Sequence, residues 1–126
     1  LFKDGAMQER IRLITHHGKQ IVVVDLSNCS ARDVETIVRS VPEYVTTRPL
    51  GSVLLLADFT GASFDDEAMR VLKETAVFNK PHVKKSAWVG AESLPEVFQQ
   101  NIKSFSRREF SKFRNRLEAL EWLAAD

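Results

Sequence analysis

Gly51-Ser52-Val53-Leu54-Leu55-Leu56-Ala57-Asp58-Phe59-Thr60-Gly61-Ala62-Ser63 decides the fold of this 126-residue chain. Val53 to Ala57 is its longest uninterrupted apolar run. A run this short, bounded by turn residues, suits a strand covered on both faces. Asp58, Thr60, Gly61 and Ser63 then supply turn chemistry. Ala68, Met69, Leu72 and Ala76 follow at three- and four-residue steps, which places them on one helix face. A buried strand that leaves through a polar turn into an amphipathic helix is the repeating unit of a parallel α/β sheet.

The same grammar extends in both directions. Upstream, Arg10 to Thr15 sets Ile11 and Leu13 between arginines and reads as a strand with one wet face. His16-His17-Gly18-Lys19 is a tight turn, with Gly18 able to take a positive φ. Ile21 to Leu26 is a second, buried strand. Val34, Ile37, Val38, Val41 and Val45 mark the first helix. Pro42 lies inside it, removes a backbone donor and predicts a kink or break. Downstream, His82 to Val89 is another buried-type strand. Leu94, Val97, Phe98, Ile102 and Phe105 form a helix face, Glu109 to Phe113 reads as a short edge strand, and Leu117, Leu120, Leu123 and Ala124 close the chain as a helix. The order β-β-α-β-α-β-α-β-α predicts one α/β domain over residues 1–126, its core spanning about 10–125, with a mainly parallel five-stranded sheet.

An internal echo supports this order. Asp25-Leu26-Ser27-Asn28-Cys29-Ser30 resembles Asp58-Phe59-Thr60-Gly61-Ala62-Ser63: a strand ends in Asp, a hydroxyl residue follows two later, and a serine precedes the helix. Ser30/Asp33, Ser63/Asp66, Ser93/Glu96 and Asn115/Glu118 each pair a capping residue with a carboxylate three later, which predicts four capped helix starts.

Composition narrows the function classes. The apolar share is 44% and the charged share 28%, ordinary for a globular domain. Eighteen basic residues stand against seventeen acidic ones, a balance that argues against dedicated nucleic-acid binding. One cysteine, Cys29, excludes an intrachain disulfide and a cysteine-rich zinc module. Every apolar run falls far short of the ~20 residues of a membrane-spanning helix. With no basic-then-apolar leader, a cytoplasmic location is expected. The near-neutral total hides polarity. Residues 1–78 carry nine basic and eleven acidic side chains, whereas residues 79–116 carry nine basic and three acidic.

Several residues are candidates for chemistry. Asp58, Thr60, Gly61 and Ser63 lie where parallel sheets gather ligands, outside the carboxyl end of a strand. The amides of the following helix suit an anion. Asp25 and Asp58 both end strands and could share acid–base work or a cation. Lys84, Lys85, Arg107 and Arg108 belong to the basic region and are candidates for anion binding. Cys29 reads as a passive small residue. Adjacent His16 and His17 would face opposite sides of a strand, so no metal site is expected. The chain has no Gly-rich phosphate loop and no Gly-x-Ser-x-Gly turn, so neither a cofactor nor a catalytic residue is expected.

The element order, the stretch Gly51 to Gly61 and the ending Leu117-Glu118-Ala119-Leu120-Glu121-Trp122-Leu123 resemble the STAS superfamily, and within it the small bacterial SpoIIAA-like proteins related to CRAL-TRIO domains. The resemblance covers about residues 10–125. It implies a right-handed β-α superhelix with strands in sequence order, and a non-enzymatic regulatory or binding domain acting through the loop after the third strand. In STAS regulators a Ser or Thr directly after the matching Asp is phosphorylated. Here Phe59 holds that position and Thr60 is a displaced substitute. The CRAL-TRIO relationship implies a lipid-like or other amphipathic ligand as an alternative. A hydrolase using Asp25 and Asp58 is a remote third. A one-sided superhelix would also leave a sheet face bare, which predicts a homodimer. The partners expected are therefore a protein or a small anionic or amphipathic ligand.

Overall fold

The structure, a computed structural model, describes residues 9–126; the first eight residues of the expected domain lie outside the described ones. Five strands form one sheet in sequence order: β1 (Ile11–His16), β2 (Lys19–Asp25), β3 (Val53–Asp58), β4 (Val83–Val89) and β5 (Ser111–Phe113). β1 and β2 pair antiparallel, and the other three pairings are parallel. The helices are α1 (Ala31–Val45), α2 (Asp66–Asn79), α3 (Glu96–Ser106) and α4 (Arg116–Ala124). Both turn residues of the β1–β2 hairpin, His17 and Gly18, have positive φ. Such a two-residue turn matches the right-handed twist of the strands it joins.

Period-two alternation sorts the strands onto two cores. Val22, Val24, Val53 and Leu55 pack with α1, α2 and α3, while Ile21, Val23, Leu54 and Leu56 pack with Ala119 and Leu123 of α4. Parallel strands covered on both faces become near-continuous apolar runs, as β2 and β3 are. The last helix thus covers the sheet face on which the expectation of self-association rested.

Other expectations need correction as well. α1 runs unbroken through Pro42. Val34, Ile37, Val38, Val41 and Val45 stay buried on both sides of it. Burying a valine or isoleucine contributes roughly 1.5–3 kcal/mol, and five of them outweigh the ~3 kcal/mol that an internal proline costs. Ser30 and Asn115 cap their helices, accepting from Asp33 N at 3.1 Å and Glu118 N at 2.9 Å. Ser63 and Ser93 do not. α2 starts two residues later than the Ser63 pattern implies, because Phe64 turns inward against Phe59, and Asp65 becomes the cap. α3 starts directly after Pro95, which holds Leu94 extended and leaves Ser93 outside the helix. α3 buries Gln99, Ile102 and Ser106, so Val97 and Phe105 of the expected face are exposed, as is Leu117 of α4.

Candidate functional site

β2 and β3 end side by side, with Asp25 in register with Asp58. The two turns beyond them have the same geometry. Asp25 Oδ1 accepts from Ser27 N at 3.0 Å and Ser27 Oγ at 2.6 Å. Asp58 Oδ1 accepts from Thr60 N at 3.0 Å and Thr60 Oγ1 at 2.7 Å. Each carboxylate thereby closes its own turn. The internal echo in the sequence is this repeated hydrogen-bond pattern.

Arg116, in the first turn of α4, joins the two turns. Its Nη2 lies 2.9 Å from Asp25 Oδ1, and its Nε donates to Asp58 Oδ2 at 2.7 Å. Arg10 stands 3.5 Å from Asp25 and donates to Ser27 O. Burial raises the Asp25 carboxyl, but the Ser27 hydrogen bonds and the Arg116 pair outweigh it and hold the group below its ordinary value. Burial lowers the Arg116 guanidinium, and its hydrogen bonds to Asp58 and Asp25 reverse this to a net rise. A hydrolytic carboxylate pair needs one acid raised toward neutrality. Asp25 is shifted the other way, and both carboxylates are engaged by an arginine.

The loop after β3 is equally well satisfied. Phe59 is 1% exposed and meets Trp88 edge-on at 5.3 Å. It is a core residue, and its position offers no surface for modification. Thr60, Gly61 and Ser63 are exposed. Gly61 N donates to Ser93 Oγ at 2.9 Å, so the serine expected to cap α3 instead ties α3's approach to this loop. Gly61 has φ +67, and a Cβ there would collide with the Asn28 side chain. The anion expected at the start of α2 meets Asp65, Asp66 and Glu67 instead of bare amides. Cys29 is buried; burial raises its thiol, against the helpful charge of Arg10.

Lys84, Lys85, Arg107 and Arg108 line one open groove beside β4, about 390 Å³ in volume. Within it their roles diverge. Lys85 Nζ donates to Trp122 O at 3.0 Å and Ala125 O at 2.8 Å, closing the end of α4. Lys84 and Arg107 face solvent. Arg108 turns inward and is 8% exposed. Its Nη1 donates to Ala76 O at 2.9 Å, its Nη2 donates to Ser86 Oγ, and its guanidinium stacks 4.8 Å from the Phe110 ring centroid. No carboxylate pairs with it among the described residues, and burial pushes it down to about 10.

Arg108 also lines a second space, a cavity of about 50 Å³ between the sheet and the α2–α3 side. Leu55, Phe59, Trp88, Ile102 and Phe110 give it apolar walls, and Asn79 joins Arg108 on its lining. Asn79 is buried, and its Oδ1 has no hydrogen-bond partner. Nothing in the sequence separated Arg108 from its basic neighbours. Arg116 had a signal, since it directly follows the cap Asn115.

The strand order, the alternating helices and the turns at the strand ends define an α/β domain with a SpoIIAA-like fold. Among solved structures it is similar to the crystal structure of a DUF3478-family protein with a SpoIIAA-like fold from Shewanella loihica PV-4, at a TM-score of 0.69 and 17% identity, over 90% of this chain and 92% of that one. No protein-family model matches the chain, and no curated protein matches it by sequence.

Proposed function

We propose that this domain is a non-enzymatic binding module for a small amphipathic carboxylate. The head of the ligand pairs with Arg108 and its short apolar body fills the cavity walled by Leu55, Phe59, Trp88, Ile102 and Phe110. The observation that carries this reading is a buried guanidinium without an anion, at the edge of an apolar cavity. A buried cation is costly unless it is paired and hydrogen-bonded. Its two hydrogen bonds go to neutral acceptors, a carbonyl and a hydroxyl, and neither balances the charge. A carboxylate suits the planar fork of the side chain. The groove holding Lys84, Lys85 and Arg107 gives that head an approach of matching charge. The volume of the cavity selects a small ligand over a long-chain lipid.

The test is calorimetry with butyrate and butyramide, two probes of similar size and different charge, followed in parallel by Trp88 fluorescence. Binding of butyrate alone, lost in Arg108→Met, is the expected result. Equal binding of the amide, or equal binding by the variant, overturns the reading.

The loop after β3 supports a second reading, a partner surface formed by Thr60, Gly61 and Ser63 over Asp58, which is itself buried and holds the turn from beneath. Its favouring observation is that three exposed residues are held on a frame fixed by the Gly61–Ser93 hydrogen bond. Thr60→Glu replaces the hydroxyl that closes the Asp58 turn and adds charge at the rim. Partner profiles identical to wild type in a pull-down would count against this surface.

A further inference from the structure

His16 and His17 do not face opposite sides, as adjacent residues on a strand would. β1 ends at His16, and His17 sits in the turn with φ +50, a left-handed backbone that swings its ring back beside that of His16. The rings lie 4.3 Å apart, edge to face. Both Nε2 atoms reach the same atom, Glu121 Oε2 on α4, at 3.0 Å and 2.6 Å. The three potential donor atoms all lie within 4.8 Å of one another. Among the described residues this is the one group of three or more histidine, cysteine or carboxylate side chains gathered so closely.

We infer that His16, His17 and Glu121 form a surface site for a divalent transition-metal ion such as Zn²⁺ or Ni²⁺. Two imidazoles and one carboxylate are a donor set for borderline metals, whereas Mg²⁺ and Ca²⁺ prefer oxygen alone. Metal–ligand bonds of about 2.0–2.1 Å in a tetrahedron set neighbouring donor atoms roughly 3.3 Å apart. The two histidine–carboxylate distances therefore need to open by less than about 1 Å, and the two imidazole nitrogens, within 4.8 Å of each other, to settle at the same spacing, to admit an ion between them. Three protein ligands leave at least one coordination position for water or for a group on another molecule. His17 and Glu121 are exposed and His16 is partly so, which gives an ion direct access. The site would clip the β1–β2 hairpin to the last helix, two segments more than a hundred residues apart in the chain. This inference is independent of the cavity at Arg108.

The full chain, carrying no histidine tag, is titrated with ZnCl₂ and NiCl₂ by calorimetry, and Co²⁺ is added to read ligand-field bands. Saturable one-to-one binding is expected, with zinc raising the melting temperature because it binds the folded state. His16→Ala, His17→Asn and Glu121→Gln should each weaken binding by about tenfold or more. Asparagine is chosen at 17 because it tolerates the left-handed backbone. Circular dichroism melts without metal identify any variant that fails to fold, and the other two variants then decide. Absence of saturable binding by the wild type overturns the inference. So does undiminished binding by the His16→Ala/His17→Asn double variant, which would place the ion elsewhere on the chain.

Discussion

Arg116 and Arg108 lie on either side of β5, and each carries its guanidinium into the protein. Arg116 meets two carboxylates at 2.9 Å and 2.7 Å, and its proton is held more tightly than usual. Arg108 meets a carbonyl, a hydroxyl and an aromatic face, and burial loosens its proton. The first is a closed ion cluster that locks two strand ends to the last helix. The second is a charge whose electrostatic partner is missing from the described residues. The difference shows that the carboxyl ends of β2 and β3, where function was expected, are structurally satisfied, and it is why the proposed ligand is assigned to Arg108 in the basic region.

Truncating each arginine is the direct way to break this contrast. Arg116→Met should have the larger effect, because it leaves Asp58 without its cation and Asp25 beside it with only Arg10, at 3.5 Å. Removing one partner of a fully buried pair costs about 3–5 kcal/mol. Arg116 is one-third exposed, so screening brings the expected loss at neutral pH to about 2 kcal/mol, measurable by urea unfolding. This loss also depends on pH. Asp25 has a folded-state value below its ordinary 3.8. The stability it contributes is present above 3.8 and disappears as pH falls through the lower folded value. The gap between wild type and Arg116→Met should therefore narrow below about pH 4. A gap that is constant from pH 7 to pH 3 would show that the Asp25–Arg116 pair contributes nothing.

Arg108→Met should have the smaller effect on the ligand-free protein, within about 1 kcal/mol of wild type in either direction. It trades an unpaired buried cation for an apolar side chain of similar length, a change that is often neutral or stabilising. Against that gain it leaves Ala76 O and Ser86 Oγ without their donor. A loss as large as that of Arg116→Met would mean that Arg108 is a structural residue and would erase the contrast.

Much of the architecture was legible because it is local. Alternation in β2 and β3, and helical spacing in α1 and α2, follow from which side of each element faces an apolar layer. The echo of Asp25-x-Ser27 in Asp58-x-Thr60 correctly marked two equivalent turns, since each carboxylate bonds the residue two positions on. Capping was readable at Ser30 and Asn115. It failed at Ser63 and Ser93, where inward packing of Phe64 and the backbone restriction imposed by Pro95 moved the helix starts. The α3 face was misjudged because Gln99 and Ser106 bury by hydrogen-bonding to backbone carbonyls, whereas Val97 and Phe105 remain outside.

The sequence by itself determined the element order, the two-sided burial of the central strands and the position of the polar turns, because hydrophobic period and turn chemistry act over a few residues. Only the tertiary structure decided which charges meet. It carried Arg116 to Asp58, 58 positions away, and Glu121 to His16, 105 positions away, while turning Arg108 toward an apolar cavity. A side chain's partner depends on how whole elements pack, and neighbouring residues in the chain do not encode that.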